Sequence, residues 1–308
     1  MQVLVPAPPN FNFARTVISH GWSGLSPCEF NRESWTLTRV LDAGGARPVT
    51  IEVNGTGTSL SFRHAPKLSK AAVAKITRDV RHMFRLDDDL SEFYTLVGID
   101  SRFAWIATAG AGRLLRSPTV FEDLVKTICT TNCSWALTEK MVTNLVTKLG
   151  RETTDGRHAF PTPDVMASQS ETFYRDEMRA GYRAPYFSEL AERVASGSLN
   201  VEAWLHSELP TDELKREMKR VKGVGDYAAE NLLKLVGRYD GLALDSWVRA
   251  KFTRTRNNNR AAADKKIERY YRSFKSWRGL ALWCDMTQDW MEDAARDTDE
   301  EILAEASP

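Results

Sequence analysis

The stretch that decides the fold is MKRVKGVGDYAAENLLKLVGRYDGLALDSWVRAKF, residues 218–252. Its centre, Gly223-Val224-Gly225, lies between two segments whose apolar residues recur at helical spacing, which predicts a tight turn between two helices. Ala228 and Ala229 follow, and their small side chains let such helices approach closely. A turn of this kind leaves backbone amides uncovered at a helix N-terminus, where they can bind a phosphate oxygen. Taken alone, a Gly-Val-Gly turn is common and identifies no function.

An aspartate lies near the end of the same stretch. Asp245, in LALDSWVRAKF, follows an apolar run and precedes a segment with helical spacing, so the pattern predicts the N-cap of that helix. Asp240 is the nearest other acidic residue, and its setting, RYDG, is typical of a turn. A carboxylate in a cleft can also stabilise positive charge on a reacting sugar, so Asp245 has both a structural and a chemical interpretation.

Together these residues resemble the hairpin and aspartate of the helix-hairpin-helix GPD (HhH-GPD) superfamily of DNA glycosylases. The family hairpin reads roughly hydrophobic-x-G-[VI]-G-x-x-x-A, which Val221 to Ala229 match. In the family an aspartate follows at a characteristic distance from the position two residues after the second glycine. Tyr227 occupies that position here, and Asp245 lies eighteen residues beyond it.

Three further segments extend the resemblance over most of the chain. SPTVFEDLVKTICTTNCSW (117–135) resembles the family's early helix, whose end enters the duplex. AGYRAPYFSELAERVASG (180–197) resembles the GYRA-x-Y helix of the 8-oxoguanine glycosylases, and WRGLALWCDMTQDW (277–290) is similar to the C-terminal helix of the alkylpurine (3-methyladenine) glycosylases. The resemblance therefore lies between these two branches.

The first part of the chain predicts strands. WTLTRVL (35–41), PVTIEVNG (48–55) and SLSFRHA (59–65) are rich in β-branched residues and are separated by turn residues. From Ser69 onward the apolar spacing becomes helical. We therefore predict a mostly α protein with an N-terminal antiparallel β domain (1–68). The resemblance implies an HhH-GPD body (69–308), in which two helical lobes flank the active-site cleft and an acidic tail ends the chain.

The resemblance implies the reaction type. Asp245 takes the place of the family's catalytic carboxylate. Bifunctional members carry a lysine at the position of Tyr227, because an amine can form a Schiff base with the sugar and promote strand cleavage. A tyrosine cannot form that imine, so we expect a monofunctional glycosylase that uses water and leaves an abasic site, with at most slow lyase activity from Lys222 or another amine.

The resemblance also implies the contacts with double-stranded DNA. We expect Lys222 and Gly223-Val224-Gly225 to contact a phosphate, and Arg249 to contribute to the same surface. Asn132 falls where the family inserts a residue into the gap left by the extruded base. The alternative interpretation of Asn132 is a polar helix cap without a DNA contact.

The base pocket is predicted from the C-terminal helix. The 8-oxoguanine branch holds its base with a glutamine and a phenylalanine, and alignment places Leu282 and Met286 there. Without those groups, an alkylated or otherwise damaged purine is favoured over oxidised guanine, because aromatic faces prefer electron-poor, cationic bases. Trp22, Trp283, Trp290 and Tyr227 could supply such faces, although core packing explains a tryptophan equally well.

Composition places limits on the remaining possibilities. The 308 residues include 42 Lys+Arg and 41 Asp+Glu, a net charge of +1, which excludes a histone-like or a highly charged disordered chain. No run of apolar residues is long enough to span a membrane, and the start has no signal-peptide pattern. The four scattered cysteines favour a reducing compartment. We expect a monomer in the cytoplasm, with the DNA, and no membrane partner.

Cofactors are expected to be absent. Only Cys284 lies downstream of Asp245, too few ligands for the family's four-cysteine iron–sulfur cluster. Cys129 and Cys133 have no further Cys or His at metal-ligand spacing, so they are expected to be buried apolar residues. A structural monovalent cation at the hairpin is the one ion left open.

The balanced charge conceals an asymmetry along the chain. Residues 249–278 contain eleven basic and two acidic residues, a net +9, whereas residues 285–308 contain nine acidic and one basic residue, a net −8. We expect the basic segment to flank the DNA-facing surface rather than form a merely solvated helix face. The acidic tail is expected either to point elsewhere or to screen the cleft.

Three alternatives remain at this stage. A non-catalytic helix-hairpin-helix DNA-binding module would use the same glycines and basic residues, but would need neither Asp245 nor Asn132. A bifunctional 8-oxoguanine glycosylase/lyase is disfavoured by Tyr227. A metal-dependent nuclease would need clustered carboxylates or histidines, and the five histidines are scattered.

Overall fold

A computed structural model describes residues 1–56, 59–64 and 67–291. The N-terminal part is a five-stranded antiparallel sheet in the order β1-β5-β4-β3-β2. Leu37, Val53 and Phe62 lie side by side on neighbouring strands and are fully buried, so one sheet face packs against the rest of the protein. The strands are β1 (Gln2–Pro6), β2 (Cys28–Asn31), β3 (Thr36–Leu41), β4 (Val49–Thr56) and β5 (Ser59–His64).

Three of these strands match the predicted ones, whereas β1 and β2 were not predicted. Both are edge strands of four or five residues, and β1 ends at Pro6. A short strand carries little alternation of its own, because its pairing partner decides its conformation.

Helices make up most of the remaining chain. Ser69 begins the first long one, because its hydroxyl accepts a hydrogen bond from the Ala72 amide. The helices are α1 (Phe13–Val17), α2 (Lys70–Met83), α3 (Ser91–Gly98), α4 (Ala104–Thr108), α5 (Val120–Thr130), α6 (Trp135–Leu149), α7 (Pro163–Ala167), α8 (Ala184–Ala195), α9 (Thr211–Met218), α10 (Asp226–Leu235), α11 (Ser246–Arg256), α12 (Asp264–Tyr271) and α13 (Arg278–Met286).

The mostly helical chain with an N-terminal antiparallel sheet confirms the predicted fold class. Its buried side chains form two clusters. The first joins the inner sheet face to α2, α5, α6, α8, α9 and α10. The second joins α3 and α4 to α11, α12 and α13. None of the helices in the described ranges combines the length and apolar character needed to cross a membrane.

A buried ion network attaches the sheet to α5. Arg39 on β3 donates two hydrogen bonds to the Glu122 carboxylate, at 2.9 and 2.6 Å, and Lys126 Nζ lies 2.7 Å from the same carboxylate. All three side chains are almost completely buried. Burial by itself would raise the pKa of Glu122, but the charges of Arg39 and Lys126 lower it to about 2.

We expect Glu122→Ala to lower the free energy of unfolding by about 3 to 5 kcal/mol, because it leaves two buried cations without their counter-charge. Urea denaturation measures this change. Glu52→Ala is the matched control, since Glu52 pairs with Arg63 at 3.2 Å but both side chains are about half exposed. That control should cost about 1 kcal/mol or less. Equal losses in the two variants would contradict the role assigned to the network.

Candidate active site

A cavity of about 1490 Å³ opens between the two buried clusters. Trp22 and Val224 belong to the first cluster, and Leu244 and Trp283 pack against the second. Each of the two buried clusters thus contributes one wall of the cavity. Its lining includes most of the predicted site residues: Trp22, Asn132, Lys222, Gly223, Val224, Gly225, Tyr227, Asp245, Trp283 and Trp290.

The hairpin between α9 and α10 forms one edge of the cavity. Gly223 has φ +88°, a conformation that favours glycine, and a Cβ atom there would lie 2.8 Å from the Tyr186 ring and 3.3 Å from Ile128. Gly225 is the N-cap of α10, and no side chain caps that helix. The first amides of α10 are therefore open to an anion.

Asp245 lines the same cavity as the hairpin. It is the N-cap of α11, and its Oδ1 accepts a hydrogen bond from the Val248 amide at 2.7 Å. Tyr227 also lines the cavity, close enough to Asp245 for its hydroxyl to feel the charge of that carboxylate. Burial, reinforced by the negative charge of Asp245, raises the pKa of Tyr227 to about 12. Tyr227 therefore stays protonated at neutral pH.

Glu230 holds the linker that carries Asp245. Its Oε2 accepts a hydrogen bond from the Ala243 amide at 2.5 Å, and its Oε1 lies 2.6 Å from Lys215 Nζ. Ala243 has φ +51°, in the left-handed region. Because an ordered partner is needed to keep a non-glycine residue in that conformation, we infer that Glu230 positions Asp245 through the linker. Sequence reasoning missed this residue, since only the folded linker brings it near Ala243.

Aromatic side chains cover much of the inner wall. Trp22 Nε1 donates to Asp123 Oδ1 at 2.7 Å, and Trp283 Nε1 donates to the Ser19 carbonyl at 2.8 Å. These bonds satisfy the indole N–H groups and hold the two rings in place. Trp247, Trp283 and Trp290 pack on one another with ring centroids 5.9 Å apart.

The prediction that Leu282 and Met286 line the base pocket is wrong. Both are fully buried in the second cluster and neither reaches the cavity. They lie four residues apart on α13, so they share the face that packs into the core. Trp283, one residue along the helix, points to the cavity instead.

Asn132 lies at an exposed tip just after α5. Its φ is +47°, and its Nδ2 lies 3.5 Å from the Tyr182 hydroxyl. Arg183 supports this tip by donating a hydrogen bond to Thr131 Oγ1 at 3.3 Å. The structure therefore brings Asn132 to the mouth of the cavity, and its insertion into a duplex stays a prediction.

Exposed aromatic rings surround the same mouth. Trp135, Tyr182, Tyr227 and Trp247 are each more than a third exposed, and all four line the cavity. Rings left in water at one opening are typical of surfaces on which bases stack. The sequence showed these residues but offered no way to group them.

Two of the predicted DNA contacts are held by ion pairs. Lys222 is largely exposed at the cavity edge and pairs with Glu189 on α8. Arg249 pairs with Asp264 at 2.8 Å and does not line the cavity. Their contacts with DNA remain predictions.

The basic segment is less free than its net charge suggests. Besides the Arg249 pair, Arg256 forms an ion pair with the buried Asp285, and Lys251 forms one with Asp289. The first carboxylates of the acidic stretch thus neutralise cations of α11. The rest of the predicted acidic tail, residues 292–308, lies outside the described residues.

Lys234 is a cavity residue that sequence reasoning missed. It lies on α10 seven residues after Tyr227 and is almost fully buried. Its Nζ lies 5.1 Å from the centroid of Trp283 and donates to the Leu242 carbonyl at 3.4 Å. Burial lowers the pKa of Lys234 to about 8, although the negative charges of Glu230 and Asp245 oppose that shift. A lysine among the leucines of LLKLVG was the available signal.

No cluster of three or more His, Cys, Asp or Glu side chains suited to a metal occurs in the described ranges. Cys129 and Cys284 are buried, and burial raises the pKa of Cys284 to about 12. The monovalent cation at the hairpin stays a prediction.

Two curated proteins are similar to this chain in sequence. One, from Methanothermobacter thermautotrophicus and called "Probable N-glycosylase/DNA lyase", is 24% identical over 194 residues, 55% of this chain and 61% of that protein. The other, the N-glycosylase/DNA lyase of Saccharomyces cerevisiae, is 26% identical over 173 residues, 52% of this chain and 46% of the relative. The matches span less than two thirds of either relative. No family model matches.

Solved structures match almost the whole chain. The 8-oxoguanine glycosylase/lyase of Clostridium acetobutylicum, bound to DNA with cytosine opposite 8-oxoguanine, has a TM-score of 0.73 at 21% identity, covering 95% of this chain and 96% of that one. The 3-methyladenine DNA-glycosylase of Archaeoglobus fulgidus has a TM-score of 0.74 at 18% identity, covering 94% and 99%.

The chain therefore has the fold of the helix-hairpin-helix DNA glycosylases, which confirms the predicted resemblance. In fold it is about equally similar to an 8-oxoguanine and a 3-methyladenine enzyme, the two branches that its segments resemble.

We expect Gly223→Ala and Gly225→Ala to differ in a diagnostic way. A methyl group at 223 meets the Tyr186 ring at a positive φ, so this variant should unfold at lower temperature. A methyl group at 225 contacts nothing within 4 Å, so that variant should keep the wild-type melting temperature but bind duplex DNA about tenfold more weakly. Thermal denaturation and fluorescence anisotropy measure the two effects. Unchanged DNA affinity in Gly225→Ala would contradict the anion-binding role.

Proposed function

We propose that this protein is a monofunctional DNA glycosylase of base excision repair, which extrudes a damaged purine from duplex DNA and hydrolyses its N-glycosidic bond. The observation that carries the proposal is the position of Asp245. Asp245 lines an aromatic-lined cavity together with a hairpin whose helix amides are uncapped.

The proposed chemistry follows from the charge that develops during bond cleavage. As the base departs with the bonding electron pair, positive charge builds on the deoxyribose. The Asp245 carboxylate can stabilise that charge and accept the proton of the attacking water. The Val248 amide hydrogen-bonds to the carboxylate and holds it in place.

Tyr227 supports hydrolysis rather than lyase chemistry. The resemblance places it where bifunctional enzymes carry the amine, and its phenol cannot form an imine. The two curated relatives are named lyases, so this position is where we propose that the present chain departs from them.

The mouth of the cavity supports base extrusion. The exposed Asn132 and Tyr182 lie together at the tip next to the hairpin. If the hairpin holds the phosphate backbone, this tip faces the gap that an extruded base leaves. A module that only binds DNA would need neither this tip nor a carboxylate facing an internal cavity.

The aromatic wall supports a flat purine as the substrate. Trp22 and Trp283 are fixed by their N–H hydrogen bonds, so their faces are preorganised for stacking. The alkylated purines expected from the sequence are therefore among the first lesions to assay, with other damaged purines alongside.

We expect Asp245→Asn to lower excision by about a hundredfold or more, because the amide cannot carry the negative charge. Its Oδ1 can still accept the Val248 hydrogen bond, so the melting temperature should hold. The assay is single-turnover release of alkali-labile sites from duplexes that each carry one damaged purine. Asp240→Asn is the matched control, since Asp240 accepts from Thr211 at 2.8 Å outside the cavity. Full activity in Asp245→Asn would refute the assignment.

We expect the wild-type protein to form no covalent DNA adduct on treatment with borohydride during turnover, because the position of Tyr227 offers no amine. Tyr227→Lys should form such an adduct, whereas Tyr227→Phe should not. Denaturing gel electrophoresis of labelled duplex separates the adduct from free DNA. A strong adduct with the wild-type protein would show that it is bifunctional.

A further inference from the structure

We infer that Lys234 reads the extruded base: its ammonium group donates hydrogen bonds to acceptor atoms of the base and disfavours a base that carries positive charge. This inference rests on the proposed glycosylase function and narrows its substrate to neutral damaged purines that present an oxygen or nitrogen acceptor.

The position of Lys234 places it on the same cavity wall as the reacting groups. Residues seven apart share one face of an α-helix, so Lys234 lies on the α10 face that carries Tyr227. Asn231, between them, also lines the cavity. The negative charge of Asp245 acts on the Lys234 ammonium, and both residues line the cavity.

The ammonium group has unused hydrogen-bonding capacity. It carries three N–H donors, and within the described residues it makes one hydrogen bond, to the Leu242 carbonyl at 3.4 Å. The residue is 2% exposed, and it is one of those that line the cavity. Acceptor atoms of a base in the cavity are a partner that would satisfy the remaining donors.

A second buried lysine shows what a purely structural arrangement looks like. Lys126 is equally buried, and its Nζ lies 2.7 Å from the Glu122 carboxylate. Lys234 has no such ion pair among the described residues. The negative charges of Glu230 and Asp245 act on it through space, and its nearest aromatic contact is the Trp283 ring face at 5.1 Å. The charge of Lys234 is thus compensated less directly than that of Lys126. Burying such a charge costs free energy of folding, which suggests that the site uses the charge to bind a ligand.

That charge changes what the aromatic wall can accept. Electron-rich rings attract a cationic base, but the Trp283 face already has the Lys234 ammonium against it. A second cation beside that ammonium would be repelled. A neutral purine avoids that repulsion and gains the free donors. Lys234 therefore favours neutral purines, the reverse of the preference for cationic alkylated purines that was expected from the sequence.

The test is Lys234→Met, which keeps the length and apolar stem of the side chain and removes its charge. Single-turnover excision is measured for hypoxanthine, a neutral base with acceptors, and for 7-methylguanine, a cation in DNA. Hypoxanthine excision should fall at least tenfold, whereas 7-methylguanine excision should hold or rise. Lys219→Met is the matched control, because Lys219 lies at the cavity edge and pairs with the exposed Asp226. It should affect both substrates equally.

A binding measurement separates this inference from the proposed function. Quenching of tryptophan fluorescence is titrated with 9-methylhypoxanthine, which is neutral, and with 3,9-dimethyladenine, which is a cation at neutral pH. The wild-type protein should bind the neutral base more tightly, and Lys234→Met should lose that preference. This measurement needs no glycosylase activity. If the protein excised no lesion, the proposed function would be refuted, and the titration would still test the role of Lys234.

Three results would overturn the inference. One is an equal fall in the excision of both substrates by Lys234→Met, with the melting temperature unchanged. Another is an unchanged preference for the neutral over the cationic base in the titration. The third is a wild-type borohydride adduct that disappears in Lys234→Met, because it would make Lys234 a nucleophile rather than a base-recognition residue.

Discussion

The close approach of the hairpin to α5 and α8 is the constraint on which the site depends. Gly223 makes that approach possible, since a Cβ atom there would press on Tyr186 of α8 and Ile128 of α5. Because the turn lies so near both helices, the tip after α5, with Asn132, and the turn before α8, with Tyr182, share one opening with the hairpin amides. A side chain at 223 would move these three surfaces apart.

The chemistry depends on a second arrangement, in which the linker from α10 folds back on its own helix. Glu230 accepts the Ala243 amide, and two residues later Asp245 caps α11. Asp245 is therefore held in two ways: Glu230 fixes the linker that precedes it, and the Val248 amide hydrogen-bonds to its carboxylate. A group that must stabilise a developing charge works best when it need not reorganise, and this double attachment provides that rigidity.

The effect of each charged side chain depends on its ion-pair partner rather than on the net charge of the segment in which it lies. The +9 segment looks like a free basic surface in the sequence, yet Arg249, Lys251 and Arg256 are all paired with carboxylates. The buried cations matter more. Glu122 neutralises Lys126, whereas Lys234 lines the cavity and has no ion pair among the described residues. Burial is the same in both cases, and the partner decides the role.

The sequence by itself determined the features that depend on neighbours along the chain. Helix spacing, the cap at Asp245, three strands and the hairpin glycines are local patterns, and they led to the correct fold class. Tertiary structure alone decided the edge strands, the roles of Glu230 and Lys234, and the face that α13 turns to the cavity. Leu282 and Met286 were misplaced because both faces of α13 are apolar, so only packing against the second cluster could choose between them.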